Sequence, residues 1–227
     1  MIKQIVTIGP LASGVANYWV ASVTPSSGQS LTLAHTTAPS GIPQRVVLAY
    51  GDEAGARTLA LTGTDRYGVT IKETLAVPAS VSGGGTVTSV QDFATLTSAV
   101  AGGGAWTTNM TLGTGQTGSS PWQRVTEHVT PVNIGINVVI SGTVNYTVET
   151  EDDPLDTHVD NTTAGPIFGP GGPVAPIVTA FAEPQSLTGQ STNQAGEITR
   201  PINAWRITLN SGSGSATATA IQGGIIQ

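Results

Sequence analysis

The stretch Arg57-Thr-Leu-Ala-Leu-Thr-Gly-Thr-Asp-Arg-Tyr-Gly-Val-Thr-Ile-Lys-Glu-Thr-Leu-Ala-Val77 decides the fold class. Val69, Ile71, Leu75 and Val77 fall on one side of an extended chain, and Thr70, Lys72, Thr74 and Ala76 on the other. That is the period of two of a half-buried strand, not the 3.6 of a helix. Between the two runs, Thr64-Asp65-Arg66-Tyr67-Gly68 carries an aspartate able to bond its own backbone and a glycine able to take a positive φ. The spacing predicts a hairpin joining 57-63 to 69-77.

The same alternation recurs outward in both directions. Val144, Tyr146 and Val148 alternate with Asn145, Thr147 and Glu149, and Trp205, Ile207 and Leu209 with Arg206, Thr208 and Asn210. Further strands are expected at 2-8, 15-23, 30-35, 44-50, 86-91, 94-99, 106-112, 135-140 and 215-221. They are rich in threonine and valine, whose β-branched side chains suit a pleated surface. No window shows a persuasive amphipathic helix, and 91-98 could supply one turn at most. Ser141-Gly142 and Ser211-Gly212-Ser213-Gly214 look like tight hairpin loops. Strands spaced about ten residues apart point to an antiparallel β-sandwich of the jelly-roll or immunoglobulin-like class. A single domain over 1-227 is expected, or two closely packed β subdomains of about 1-125 and 126-227, with strands from both halves sharing a sheet.

Two segments break the pattern. Residues 101-121 form a glycine-rich connector, and 151-200 hold six prolines and few periodic residues. So long an irregular stretch is unusual inside a compact domain unless it is functional or packs on something else. It is expected to be an extended arm or inter-subunit loop. The start, Met1-Ile2-Lys3 followed by Ile5, Val6, Ile8 and Leu11, faintly resembles a secretory signal. Gly9-Pro10 interrupts it and no small-residue cleavage site follows, so an N-terminal strand is expected.

Composition narrows function by exclusion. Only 10% of the 227 residues are charged, against about a quarter in ordinary domains, and the net charge is -6. Eight scattered basic residues make no electrostatic footprint for nucleic acid. No apolar run reaches the ~18 residues of a membrane helix. There is no cysteine, hence no disulfide framework, Cys-ligated zinc or thiol nucleophile.

Motifs add little chemistry. Gly113-Thr-Gly115-Gln-Thr-Gly118 matches the dinucleotide pattern in letters, but nothing after it opens a helix, so a flexible loop is expected. Six of the fourteen acidic residues lie between Glu149 and Asp160, beside His158. A hard cation such as calcium would relieve their repulsion, which makes Asp152, Asp153, Asp156 and Asp160 the residues to examine for a metal. The spacing matches no EF-hand, and a solvated or partner-facing acidic loop is the simpler reading. His35, His128 and His158 lie in unrelated segments, and neither a GxSxG elbow nor an HExxH pair occurs. Trp19, Trp106, Trp122 and Trp205 are dispersed; they could form a sugar platform, although such tryptophans usually belong to cores and interfaces. No catalytic residue and no cofactor are expected.

Three stretches together resemble a known group: Arg57 to Leu75, Gly142-Thr-Val-Asn-Tyr-Thr-Val-Glu-Thr-Glu-Asp-Asp-Pro154, and Pro201-Ile-Asn-Ala-Trp-Arg-Ile-Thr-Leu-Asn-Ser-Gly-Ser-Gly-Ser-Ala-Thr-Ala-Thr-Ala-Ile-Gln222. In this order they resemble small β-rich structural proteins of tailed bacteriophage virions, leaving 155-200 outside the likeness. The resemblance implies a virion protein. A capsid cement or decoration protein, a head-tail connector component and a tail or collar protein, the last with host-glycan adhesion through Trp or Tyr, all fit it. The expectation is a cement protein on the capsid exterior, bound to the major capsid protein or other virion proteins. It would be a homo-oligomer, with a homotrimer favoured, and would touch neither nucleic acid nor membrane. The 151-200 segment and the N-terminal strand are its expected contact regions.

Overall fold

The computed structural model describes residues 2–79, 83–125, 129–151, 178–180, 187–202 and 204–226. Among them lie sixteen strands: β1 (Ile2–Ile8), β2 (Val20–Val23), β3 (Gln44–Tyr50), β4 (Arg57–Thr64), β5 (Thr70–Val77), β6 (Gly85–Phe93), β7 (Thr95–Gly102), β8 (Met110–Thr114), β9 (Gly118–Ser119), β10 (Gln123–Arg124), β11 (Val129–Ser141), β12 (Val144–Glu151), β13 (Val178–Ala180), β14 (Gln194–Ile198), β15 (Ala204–Gly212) and β16 (Ser215–Ile226). The only helical piece among the described residues is a 3-10 turn at Pro39–Gly41. Every strand pair is antiparallel. The chain is all-β, as its alternation predicts.

These strands form two compact units. One comprises residues 12–115. The other is built from 2–11, 116–151 and the described residues after 178, so the division falls after 11 and after 115 rather than near residue 125.

In the 12–115 unit, the sheets β2-β8-β3-β6 and β5-β4-β7 enclose one core. Val46 and Leu48 of β3, Met110 and Leu112 of β8, and Leu59, Leu61, Ile71 and Leu75 of β4 and β5 are all essentially buried within it. The hairpin read from 57–77 is present, with Arg57 opposite Val77 and Thr64 opposite Thr70. Asp65 sets its turn. Its Oδ1 accepts hydrogen bonds from the N–H groups of Tyr67 (2.9 Å) and Val69 (2.8 Å), while Gly68 takes φ +80°. Asp65→Ala leaves both donors without that acceptor and is expected to cost about 2 kcal/mol in chemical denaturation. Asp65→Asn keeps the carbonyl oxygen and should lose less than half of that; equal losses would deny the carboxylate this role.

Two carboxylates complete the unit. β6 bulges against β3, since Arg45 pairs with Asp92 but Val47 with Thr88. The Oε atoms of Glu73 on β5 accept the N–H groups that the bulge frees, from Val90 at 2.7 Å and Gln91 at 3.0 Å. Burial pushes the Glu73 carboxyl up, and these bonds only partly offset it. Glu53, in the β3–β4 connection, is fully buried and takes the N–H and hydroxyl groups of both Thr107 and Thr108. Arg57 Nε stands 3.2 Å from it.

Several sequence expectations are corrected here. Of 15–23 only Val20–Val23 is strand. Residues 30–35 contribute one isolated bridge, Ser30 to Val100. Residues 91–98 are extended, in β6 and β7, and hold no helical turn. Parts of the 101–121 connector belong to strands, the end of β7 at Gly102, β8 and β9, with β8 beginning only at Met110. The GxGxxG stretch is no flexible loop: Gly113 lies in β8 and Gly118 in β9. A Cβ on Gly113 would stand 2.2 Å from the Val15 carbonyl oxygen, so this glycine is there to let two backbones meet.

The second unit has sheets β1-β16-β11-β14 and β10-β15-β12-β13, with β9 also on β15. Val6, Ile8, Ile134, Ile136, Val138, Ala216, Ala218 and Ala220 are buried from the first sheet; Val144, Tyr146, Val148, Trp205, Ile207 and Leu209 are buried from the second. Trp205 Nε1 on β15 donates to Gln4 Oε1 on β1 at 2.9 Å. Small alanines in one sheet and large aromatics in the other complement one another in volume.

The two loops read as hairpins are not hairpins. β11 does not pair with β12, nor β15 with β16. Instead β11 pairs with β16 as far as Ser141↔Ser215, and β12 pairs with β15 from Val144↔Gly212 onward. Two residues intervene on each strand, so the register runs unbroken across the gap. Residues 129–151 and 204–226 are thus one long antiparallel ribbon, folded over at a corner so that each half lies in a different sheet. Glycine serves the close approach at this corner. A Cβ on Gly212 (φ +107°) would stand 2.3 Å from the Thr143 carbonyl oxygen, and one on Gly214 2.2 Å from that of Ser141.

The described parts of 151–200 are not a free arm. β13 pairs with β12 and β14 with β11, and Gln190 exchanges backbone hydrogen bonds with Tyr146. The rest of the expected arm lies outside the described residues.

Candidate functional site: an uncharged sheet face

The sheet β1-β16-β11-β14 buries one side and leaves the other open. Alternation puts Lys3, Ile5 and Thr7 of β1 on the open side. Thr217, Thr219 and Ile221 of β16, Gly135, Asn137 and Val139 of β11, and Ala195 and Glu197 of β14 join them. Ile5, Val139 and Ile221 are 58%, 49% and 40% exposed, which is high for aliphatic side chains. The only charges on these strands' open side are Lys3 and Glu197, on the two outer strands. Neither forms an ion pair among the described residues.

Pairing aligns these side chains in rows. Lys3 lies opposite Ile221, Ile221 opposite Gly135, and Gly135 opposite Glu197. The next row is Ile5, Thr219, Asn137 and Ala195. Because Gly135 has no side chain, a depression of about 350 Å3 opens in the face, lined by Gly135, Asn137, Ala195, Gly196, Thr219 and Ile221. A Cβ built on Gly135 meets nothing within 4 Å, so the hollow is free of the chain's own atoms.

The sequence-derived candidates fare differently. Asp152, Asp153, Asp156 and Asp160, together with His128 and His158, lie outside the described residues. Among the described residues no group of three His, Cys, Asp or Glu is placed to hold a metal ion. Glu149, at the head of the acidic run, receives Arg206 Nε at 2.6 Å and the Thr208 hydroxyl at 2.8 Å. His35 stacks on Tyr18 with ring centroids 4.3 Å apart. All four tryptophans are buried: Trp19 and Trp205 are 0% exposed, Trp106 4% and Trp122 6%. The Arg206 guanidinium sits 4.5 Å over the Trp122 ring. None of the four offers the open ring face on which a sugar stacks.

The N-terminal strand, expected as a contact region, does edge its sheet among the described residues, pairing there only with β16. Sequence reasoning missed the open face beside it. Its one signal is Ala216-Thr-Ala-Thr-Ala-Ile221, where alternation is clear but hydrophobicity does not say which side is inside.

No family model matches the chain, and no curated protein matches it. Among solved structures it is similar to the crystal structure of PBSX exported protein XepA, at 9% sequence identity and a TM-score of 0.32, over 95% of this chain and 90% of that one. A likeness of that size carries no argument about function.

Proposed function

We propose that this chain is a non-enzymatic virion structural protein, a cement or decoration protein that binds the major capsid protein on the outside of a phage head and stabilises it as a homo-oligomer. The observation that supports this most is the open face of β1-β16-β11-β14. It is nearly uncharged and exposes three aliphatic side chains, the composition of a surface made to be covered. Among the described residues this face holds no polar constellation for chemistry, since its two charges, Lys3 and Glu197, stand apart on the outer strands. The buried tryptophans weigh against host-glycan adhesion through Trp in a tail or collar protein.

The test is sedimentation of the purified protein with tailless heads lacking it. Binding to heads, together with a higher temperature of head disruption, is the expected result. Recovery on isolated tails alone would place the protein at another station and end the cement reading.

A further inference from the structure

The geometry points to a second copy of this chain as an occupant of the open face, docked about a two-fold axis that runs along the strands between β16 and β11. The inference stands on the face itself and not on the virion reading. Rotation about such an axis turns the face over and exchanges its left and right halves, leaving each row over itself. Lys3 then lies over the partner's Glu197, and Glu197 over the partner's Lys3. Ile221 projects at the partner's Gly135, into the hollow that the missing side chain leaves. In the next row Ile5, the most exposed aliphatic of the face, lies over the partner's Ala195. Large meets small in both rows, and opposite charges meet at both rims.

Other axes fail this test. A two-fold axis across the strands brings each strand over its own copy, and Lys3 never reaches Glu197. A threefold ring, the order expected from the sequence, joins two different patches and would make no use of a match between the two halves of one patch. The size is also suitable. Four strands spaced about 4.8 Å apart and paired over about eight residues give a face of about 500 Å2. Two copies then bury about 1,000 Å2, at the threshold of specific interfaces, so a weak, reversible dimer is expected.

Charge exchange tests the arrangement directly on the full chain. In sedimentation equilibrium the protein should dimerise by about 0.1 mM. Lys3→Glu or Glu197→Lys alone should weaken the dimer about tenfold or more, because each places like charges together at both rims. The double exchange Lys3→Glu/Glu197→Lys should return it to within about threefold of the starting affinity. Gly135→Phe puts a ring into the hollow, and its Cβ has room, meeting nothing within 4 Å. It should leave a folded monomer, verified by unchanged thermal unfolding of dilute protein. A monomer at all concentrations, a trimer, an unrescued double exchange, or a dimer indifferent to Gly135→Phe would each overturn the inference.

Discussion

Replacing Gly212 by valine is expected to cost the ribbon-bearing unit about 4 kcal/mol, a loss comparable with the whole stability of many small domains. Three penalties act together at this position. The backbone has φ +107°, which a β-branched residue rarely adopts. The new Cβ would overlap the Thr143 carbonyl oxygen at 2.3 Å and the Val144 Cα at 2.8 Å. Both of those atoms belong to the other strand of the ribbon at its corner, so neither can retreat without opening the fold. Gly223→Val is the control. It lies on β16, where a Cβ meets nothing within 4 Å, and should change stability by only about 0.5 kcal/mol. Urea unfolding followed by tryptophan fluorescence reads both, since Trp122 and Trp205 belong to this unit. Similar losses from the two substitutions would show that the corner does not depend on glycine.

The second large effect is at Glu53. Glu53→Ala removes the acceptor of four N–H and O–H groups from Thr107 and Thr108 and strands Arg57 beside an empty site. A loss of about 4 kcal/mol is expected in the 12–115 unit. Its pH dependence has a definite sign. Burial raises the Glu53 carboxyl, but the hydrogen bonds from Thr107 and Thr108 outweigh burial and hold its pKa below the ordinary range. The ionised group therefore contributes stability that is complete above the unfolded carboxylate pKa and is lost as pH falls through the lower folded value. Glu73 works in the opposite sense. Its raised pKa gives a contribution present below the unfolded value and lost as pH rises through the folded one. The gap in stability between the native chain and Glu53→Gln should accordingly shrink as the solution is acidified below the carboxylate range. A gap that widens would reverse the sign assigned to Glu53.

Alternation made the strands legible, because threonine and valine at every second position leave few other structures open to the chain. The 57–77 hairpin was legible to within one residue, since Asp65 and Gly68 can do little else in that spacing. Sheet membership was not. Ser141-Gly142 and Ser211 to Gly214 have the chemistry of hairpin turns, yet they mark a corner where two paired strands bend together. A glycine needed for a turn and a glycine needed for backbone contact look alike in one sequence. The interaction face was hidden for a different reason. In β16 the alanines point inward and Thr217, Thr219 and Ile221 outward, so residue hydrophobicity leaves the inside undecided. Only the Trp205 and Tyr146 side chains opposite explain why small residues had to take the buried side.

The pairing of β1 with β16 sets an order of events during synthesis. Ile2 lies against Gln222 and Ile8 against Ala216, while residues 12–115, a unit with its own core, lie between β1 and the rest of its unit. A ribosome adding about 10 residues per second produces β1 on the order of twenty seconds before its partner strand. The inserted unit can complete its core during that interval, whereas β1 stays an unpaired edge. Such distant pairing makes the outer unit the slower to fold and the more exposed to stray association. Lys3, a charge near the start of β1, is well placed to keep that waiting strand from adding to another sheet.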